Sequence, residues 1–224
     1  MEQERTRTEQ IPAWLWRLVL GGTLAVALVV AGGALAIGLG AADPPIHGAA
    51  LWQDGALSWA QGPDLDLDPL REIWAAALDD AALPDGSFTL AVRAEIAATS
   101  DPGTAWGVWI AQVDGTRVVW ALSGDLYLTT RICPGAEAPA ALENCPAAQP
   151  DWRWMPYNRV RAPGAVNEIA LHRDAAGAIR LWLNGERLGI MDVQPGGSWG
   201  VWARGGRSGT AAIRWLRASI LAAN

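Results

Sequence analysis

Apolar and polar residues follow two different regimes along this chain. Residues 18–39 form an unbroken run of 22 uncharged positions rich in Leu, Val, Ala and Gly. From residue 88 onward the apolar positions fall into short alternating segments. In 88–96, Phe88, Leu90, Val92 and Ile96 share one side of an extended chain, while Arg93 and Glu95 take the other. That period of two predicts a half-buried strand. Further strands are predicted at 106–113, 117–122, 126–132, 167–173, 179–183, 186–191, 198–204 and 211–216, nine in all. Asp114-Gly115, Ser123-Gly124-Asp125, residues 174–177, Asn184-Gly185 and Gly205-Gly206 punctuate them. Asn184-Gly185 between two apolar runs predicts a two-residue hairpin, because both positions tolerate positive φ. Strands spaced in this way predict an all-β antiparallel sandwich or barrel. The strand at 106–113 is apolar on both faces, so it is either central or lines a groove. One stretch reads differently. Leu70, Ile73, Trp74 and Ala77 recur at helical spacing, with Asp68 at the N-cap and Pro69 first, and predict a short helix.

The apolar run predicts a transmembrane helix over 18–42. At 1.5 Å per residue, 22 residues match a hydrocarbon layer of about 30 Å. Trp14 and Trp16 precede it, at the level where amphipathic rings favour headgroups. Arg5, Arg7 and Arg17 lie before the run, and the first arginine after it is Arg71. The positive-inside rule then places residues 1–17 in the cytoplasm and the C-terminal domain outside the cell membrane. A cleaved signal peptide is the alternative, with Gly40-Ala41-Ala42 as the cleavage site. The run exceeds a usual signal core, which favours an anchor. Gly32, Ala36 and Gly40 recur every fourth residue. They mark a face on which a second transmembrane helix can pack closely, unless the Ala/Gly-rich composition alone accounts for the spacing. Residues 43–49, with Pro44-Pro45, read as a stiff linker to a domain over 50–221.

Charge narrows the partners. The net charge of −6 is carried entirely by residues 43–224, which hold 20 acids and 14 arginines, and the chain has no lysine. An acidic domain without a basic patch argues against nucleic acid, whose binding requires phosphate neutralisation. Fourteen Trp against one Phe and two Tyr is the one compositional feature that a biased genome does not explain. Cys133 and Cys145, the only cysteines, are close in sequence in a domain expected to be exported. They are expected to form a structural disulfide, since further metal ligands and a C-x-x-C spacing are both lacking.

The segments Asn167-Glu-Ile-Ala-Leu-His-Arg173, Ile179-Arg-Leu-Trp-Leu-Asn-Gly-Glu-Arg-Leu188 and Gly197-Ser-Trp-Gly-Val-Trp-Ala203 resemble the concanavalin A-like superfamily, its laminin-G-like and bacterial sugar-hydrolase-related branches above all. The resemblance covers roughly 50–220 and is strongest over 160–205. It implies a two-sheet jelly roll that serves as a carbohydrate- or protein-binding module, and it carries over no catalytic residue.

Candidate chemistry is sparse. The E-x-D-x-x-E run of related glycosidases, which sets two carboxylates across a sugar bond, is not present. His172 lacks partners for a nucleophilic relay, and neither a G-x-S-x-G elbow nor a phosphate loop occurs. Asp64, Asp66 and Asp68 alternate as calcium ligands do, but Pro69 and Ala75 break the EF-hand pattern, so a solvated acidic face is the expectation and no metal or cofactor is assigned. Alternation instead predicts that Trp109, Tyr127, Thr129, Arg131, His172, Arg180 and Trp182 share one sheet face, where rings and polar groups suit a glycan or a protein partner. The competing reading is that these tryptophans are core, rimmed by arginine stems. Together these observations lead to an anchored, non-catalytic module for glycan or protein. Its alternatives are an accessory subunit docked through the small-residue helix face and a glycoside-acting hydrolase.

Overall fold

The computed structural model describes residues 12–38, 48–135, 141–148 and 154–222. The chain divides into two units, Met1–Pro44 and Pro45–Asn224. The first holds helix α1 (Ala13–Gly38), within which Trp14–Ala36 is long and apolar enough to cross a membrane. Its one hydroxyl is satisfied locally, since Thr23 Oγ1 donates to Val19 O at 2.8 Å, the bond a polar side chain makes in an apolar helix. Gly32 and Ala36 lie one turn apart in α1, whereas Gly40 and linker residues 43–47 fall outside the described residues.

The second unit is a sandwich of two antiparallel sheets. One has the order β1 (Ala50–Asp54), β13 (Ala211–Ala222), β4 (Phe88–Ile96), β9 (Val166–Arg173), β10 (Ile179–Leu183) and β11 (Glu186–Met191), with β2 (Asp64–Leu67) also pairing β13. The other runs β3 (Glu72–Ala76), β12 (Pro195–Arg204), β5 (Ala105–Gln112), β6 (Arg117–Ser123), β7 (Tyr127–Cys133) and β8 (Met155–Pro156). The nine predicted strands are all found. Asn184 (φ 52°) and Gly185 (φ 86°) turn β10 into β11 as their sequence requires.

Residues 70–77 are a correction. Instead of a helix they carry β3, an edge strand registered on β12 with Trp74 opposite Trp202. Ile73 and Ala75 enter the core between the sheets, and Trp74 enters a second cluster on the outer face, so each side of the strand is apolar. Tertiary burial of both faces overrides a helical spacing that only a few residues define. Around Asp64, β2 buries Leu65 and Leu67 and exposes both of its aspartates, the solvated acidic face that was expected.

Most of the tryptophan is core. Trp52 and Trp59 meet Trp199 edge-on, with centroids 5.8 and 5.5 Å apart, and Trp106 meets Trp215 in the same way at 5.8 Å. The core between the sheets is completed by the inward residues of every long strand, among them Leu90, Val108, Trp120, Leu181 and Val201.

Candidate functional site

The outward face of the six-stranded sheet is paved rather than open. Ala105, Trp109, Val119, Ala121, Cys133 and Trp202 project from it and pack with Leu142 and Cys145, which belong to the segment following β7. Cys133 and Cys145 form the disulfide that ties this segment down. Hydrogen bonds also hold it. Arg131 Nη1 donates to Cys145 O at 3.0 Å, Ile132 N to Pro146 O at 2.9 Å, and Leu142 N to Glu72 Oε2 at 3.0 Å. Glu72 also accepts from Trp202 Nε1 at 2.9 Å. Replacing both cysteines with serine is expected to lower stability by about 3 kcal/mol in the chain-entropy account of a loop this size. Urea denaturation of the oxidised wild type beside the variant measures it. Two arginines lie over the indoles: Arg117 is 4.8 Å from the Trp109 centroid, and Arg204 sits between Trp154 and Trp202 at 5.7 and 5.9 Å.

Where β12 and β6 end and β5 and β7 begin, this face opens into a cleft of about 630 Å³. Asp101 organises its floor. Its Oδ1 accepts the Gly103 N–H at 2.7 Å, and its Oδ2 accepts the Ser208 hydroxyl at 2.7 Å and the Ser208 N–H at 3.1 Å. The bond from the Ser208 hydroxyl, followed by that from Gly103, holds the Asp101 carboxyl below its usual 3.8. Gly206 makes the clamp sterically feasible, because a Cβ there would sit 2.3 Å from Asp101 Oδ1. The same loop accepts Leu70 N at Gly206 O, 2.9 Å away, which joins the turn before β3 to the cleft.

The walls supply the remaining chemistry. Asp125 accepts from Ser123 Oγ, and Glu143, on the stapled segment, accepts from Arg204 Nη1. That arginine is the main reason the Glu143 carboxyl titrates below its usual 4.5. Tyr127 and Trp154 add half-buried rings, and Arg207 a second cation. The cleft therefore combines carboxylate acceptors, guanidinium donors and aromatic surface, the set that a hydroxyl-rich ligand engages.

The seven residues expected on one face are divided between two sheets. Trp109, Tyr127, Thr129 and Arg131 do share the outer side of the six-stranded sheet, but only Tyr127 lines the cleft. Trp109 is 3% exposed and donates Nε1 to Val201 O, so its faces are already occupied. Arg131 is turned to Thr129 and the stapled segment. His172, Arg180 and Trp182 belong to the seven-stranded sheet, where Arg180 pairs with Asp174 at 2.8 Å and Trp182 is 5% exposed. The separation follows from topology: the chain changes sheets between β8 and β9, and alternation along a strand carries no record of which sheet the strand joins.

His172 Nδ1 lies 2.9 Å from Thr89 Oγ1. Burial, aided by Arg180 and opposed by Asp174, pulls the imidazole below its usual 6.5. A base with a depressed folded-state pKa leaves stability intact above the unfolded value and erodes it as pH falls through the folded one. Thermal melts are therefore expected to drop between pH 7 and 5 in wild type, and to drop less in His172→Gln. Equal slopes would remove His172 from the account.

The sequence does not single out Asp101, Gly103 or Ser208, and it marks Gly206 only as part of a turn. They sit in turns about 100 residues apart, and their one local signal is the pair of glycine-containing turns that supply them.

No family model matches this chain, and no curated protein is similar to it in sequence. Solved structures are similar in fold. A Crh5 transglycosylase in complex with NAG aligns with a TM-score of 0.50 at 12% identity, covering 81% of this chain and 88% of that one. The carbohydrate recognition domain of Emp46p in its potassium-bound form aligns at 0.48 and 11% identity, over 72% and 89%. The carbohydrate binding module CBM66 from Bacillus subtilis aligns at 0.42 and 7%, over 71% and 96%. The first of these likenesses establishes a shared two-sheet fold. At such identities none of them assigns a role to a residue.

Proposed function

We propose that this concanavalin A-like sandwich is a glycan-binding, non-catalytic module held at a membrane by α1, with the sandwich on the non-cytoplasmic side. The observation that carries the reading is the cleft, where Asp101, Asp125 and Glu143 meet Arg204, Arg207, Tyr127 and Trp154. Sugar hydroxyls need donors and acceptors in alternation, and the apolar face of a pyranose needs a ring to lie on. A disulfide in the sandwich and arginines ahead of the apolar run support export. In this reading residues 1–17 are cytoplasmic, 18–42 span, 43–49 link and 50–221 bind.

A glycan array probed with the detergent-solubilised full chain tests it. Trp154→Ala is expected to weaken binding about tenfold through loss of ring contact, whereas Trp182→Ala, on the other sheet, leaves it unchanged. If no glycan binds and a membrane protein co-purifies in stoichiometric amount instead, the accessory-subunit reading replaces this one.

A further inference from the structure

The sandwich has two distinct ends, and the attachment and the cleft occupy opposite ones. β13 spans the distance between them. Its first residues lie beside the cleft, since Ser100 Oγ donates to Ala212 O and Asp101 holds Ser208. Its last residue lies beside the start of the unit: Ala222 N donates to Ala49 O at 2.9 Å, and a Cβ on Gly48 would strike Ala222 O at 1.9 Å. Twelve residues of strand separate these points by roughly 36 Å. A single row of pairings defines the attachment end: Ala222 opposite Phe88, Phe88 opposite Arg173, Arg173 opposite Ile179, and Ile179 opposite Met191. The hairpin tip at Val113 joins this row from the other sheet through Val113 N and Gln194 O.

That end exposes apolar side chains at its surface. Among the described residues of the sandwich six large apolar side chains are exposed. Three of them, Leu51, Val113 (70% exposed) and Ile190 (55%), lie here. Val113 and Ile190 flank a second hollow of about 380 Å³, whose only charged lining residues are Arg173 and Asp192. Arg173 is presented there by Nη1 bonds to the carbonyls of Asp85 and Gly86, and its buried Nε has no hydrogen-bond partner among the described residues.

Given the anchored reading above, on which this inference rests, we infer that the attachment end is a membrane-contact surface whose hollow takes a zwitterionic phospholipid headgroup. Chain length selects this occupant. The nine residues 39–47 reach at most about 32 Å when fully extended, so a membrane holding α1 stays within reach of this end. Charge selects the lipid class. A headgroup phosphate faces Arg173 and the headgroup ammonium faces Asp192, while an anionic surface is repelled by a domain carrying the whole −6 of the chain. Val113 and Ile190 flank the headgroup and enter the interfacial layer, as apolar side chains do beside lipid.

The test uses the full chain in nanodiscs containing doxyl-labelled lipid, with an environment-sensitive fluorophore on Val113→Cys, Ile190→Cys, Leu70→Cys or Val26→Cys. The disulfide leaves no other thiol. Quenching at 113 and 190 is expected to exceed that at Leu70, on the cleft end, by about twofold or more in phosphatidylethanolamine, and to weaken in phosphatidylglycerol. Quenching at 113 and 190 no greater than at 70, with 26 quenched, overturns the contact surface and leaves the anchor standing. An unquenched 26 removes the anchor and this inference together. Equal or stronger quenching in phosphatidylglycerol overturns the zwitterionic assignment.

Discussion

Replacing Asp101 with alanine is expected to weaken glycan binding on the order of a hundredfold, because several charge-assisted bonds are lost at once. The carboxylate ties Gly103 to Ser208 across two loops, and Gly206 is packed against it. Without it the tips of both loops lose their shared anchor, and a ligand must order them before it binds. Asp101→Asn, which keeps the shape and one acceptor, should fall between the two. Titration calorimetry against the best array ligand measures the series, with circular dichroism confirming the fold. Affinity unchanged in the alanine variant would place the binding site elsewhere. Since the carboxyl is held below 3.8, the clamp should persist in mild acid and fail only as pH drops beneath that value.

Gly200→Ala should cost about 3 kcal/mol or more of stability, at the severe end of overpacking. Gly200 stands on the outer face of β12 between β3 and β5. A Cβ there would lie 2.0 Å from the Ala75 carbonyl oxygen and 2.5 Å from the Trp109 ring. The carbonyl is part of the β3–β12 ladder and cannot retreat without breaking it. Trp109 cannot retreat either, being buried and bonded to Val201 O at 3.2 Å. A denaturant midpoint well below wild type with an unchanged slope is the expected result. Gly55→Ala, where a Cβ meets nothing within 4 Å, serves as the neutral comparison. Equal midpoints for the two variants would mean that β3 yields more readily than its pairing implies.

Much of the fold could be read before any coordinates. Residues 88–96 alternate because one side of the strand meets the core, and Asn184-Gly185 specified its own turn. β3 reads as a helix because Ile73 is buried on one side and Trp74 is half-buried on the other, and a strand covered on both sides loses the period that identifies it. β1, whose Trp52 is only partly buried, carries too weak a pattern to stand out. The candidate site was less legible. Trp109 and Trp182 drew attention as large rings, yet the fold uses both for packing, while Trp154 reaches the cleft from a stretch without periodicity. Asp101 and Ser208 meet across 107 positions of sequence, and only closure of the sandwich brings them together.

The pairing of β1 with β13 also determines how the molecule carries load. If the chain is anchored and binds through the cleft as proposed, a ligand pulling there against the N-terminal tether stretches the sandwich along its strands. The pull reaches β1 at its first residue and slides it lengthwise against β13, so the four registered pairs from Ala50–Leu221 to Asp54–Ala218 are strained together rather than unzipped one by one. Shear of that kind loads every pair at once, which short strands resist better than peeling.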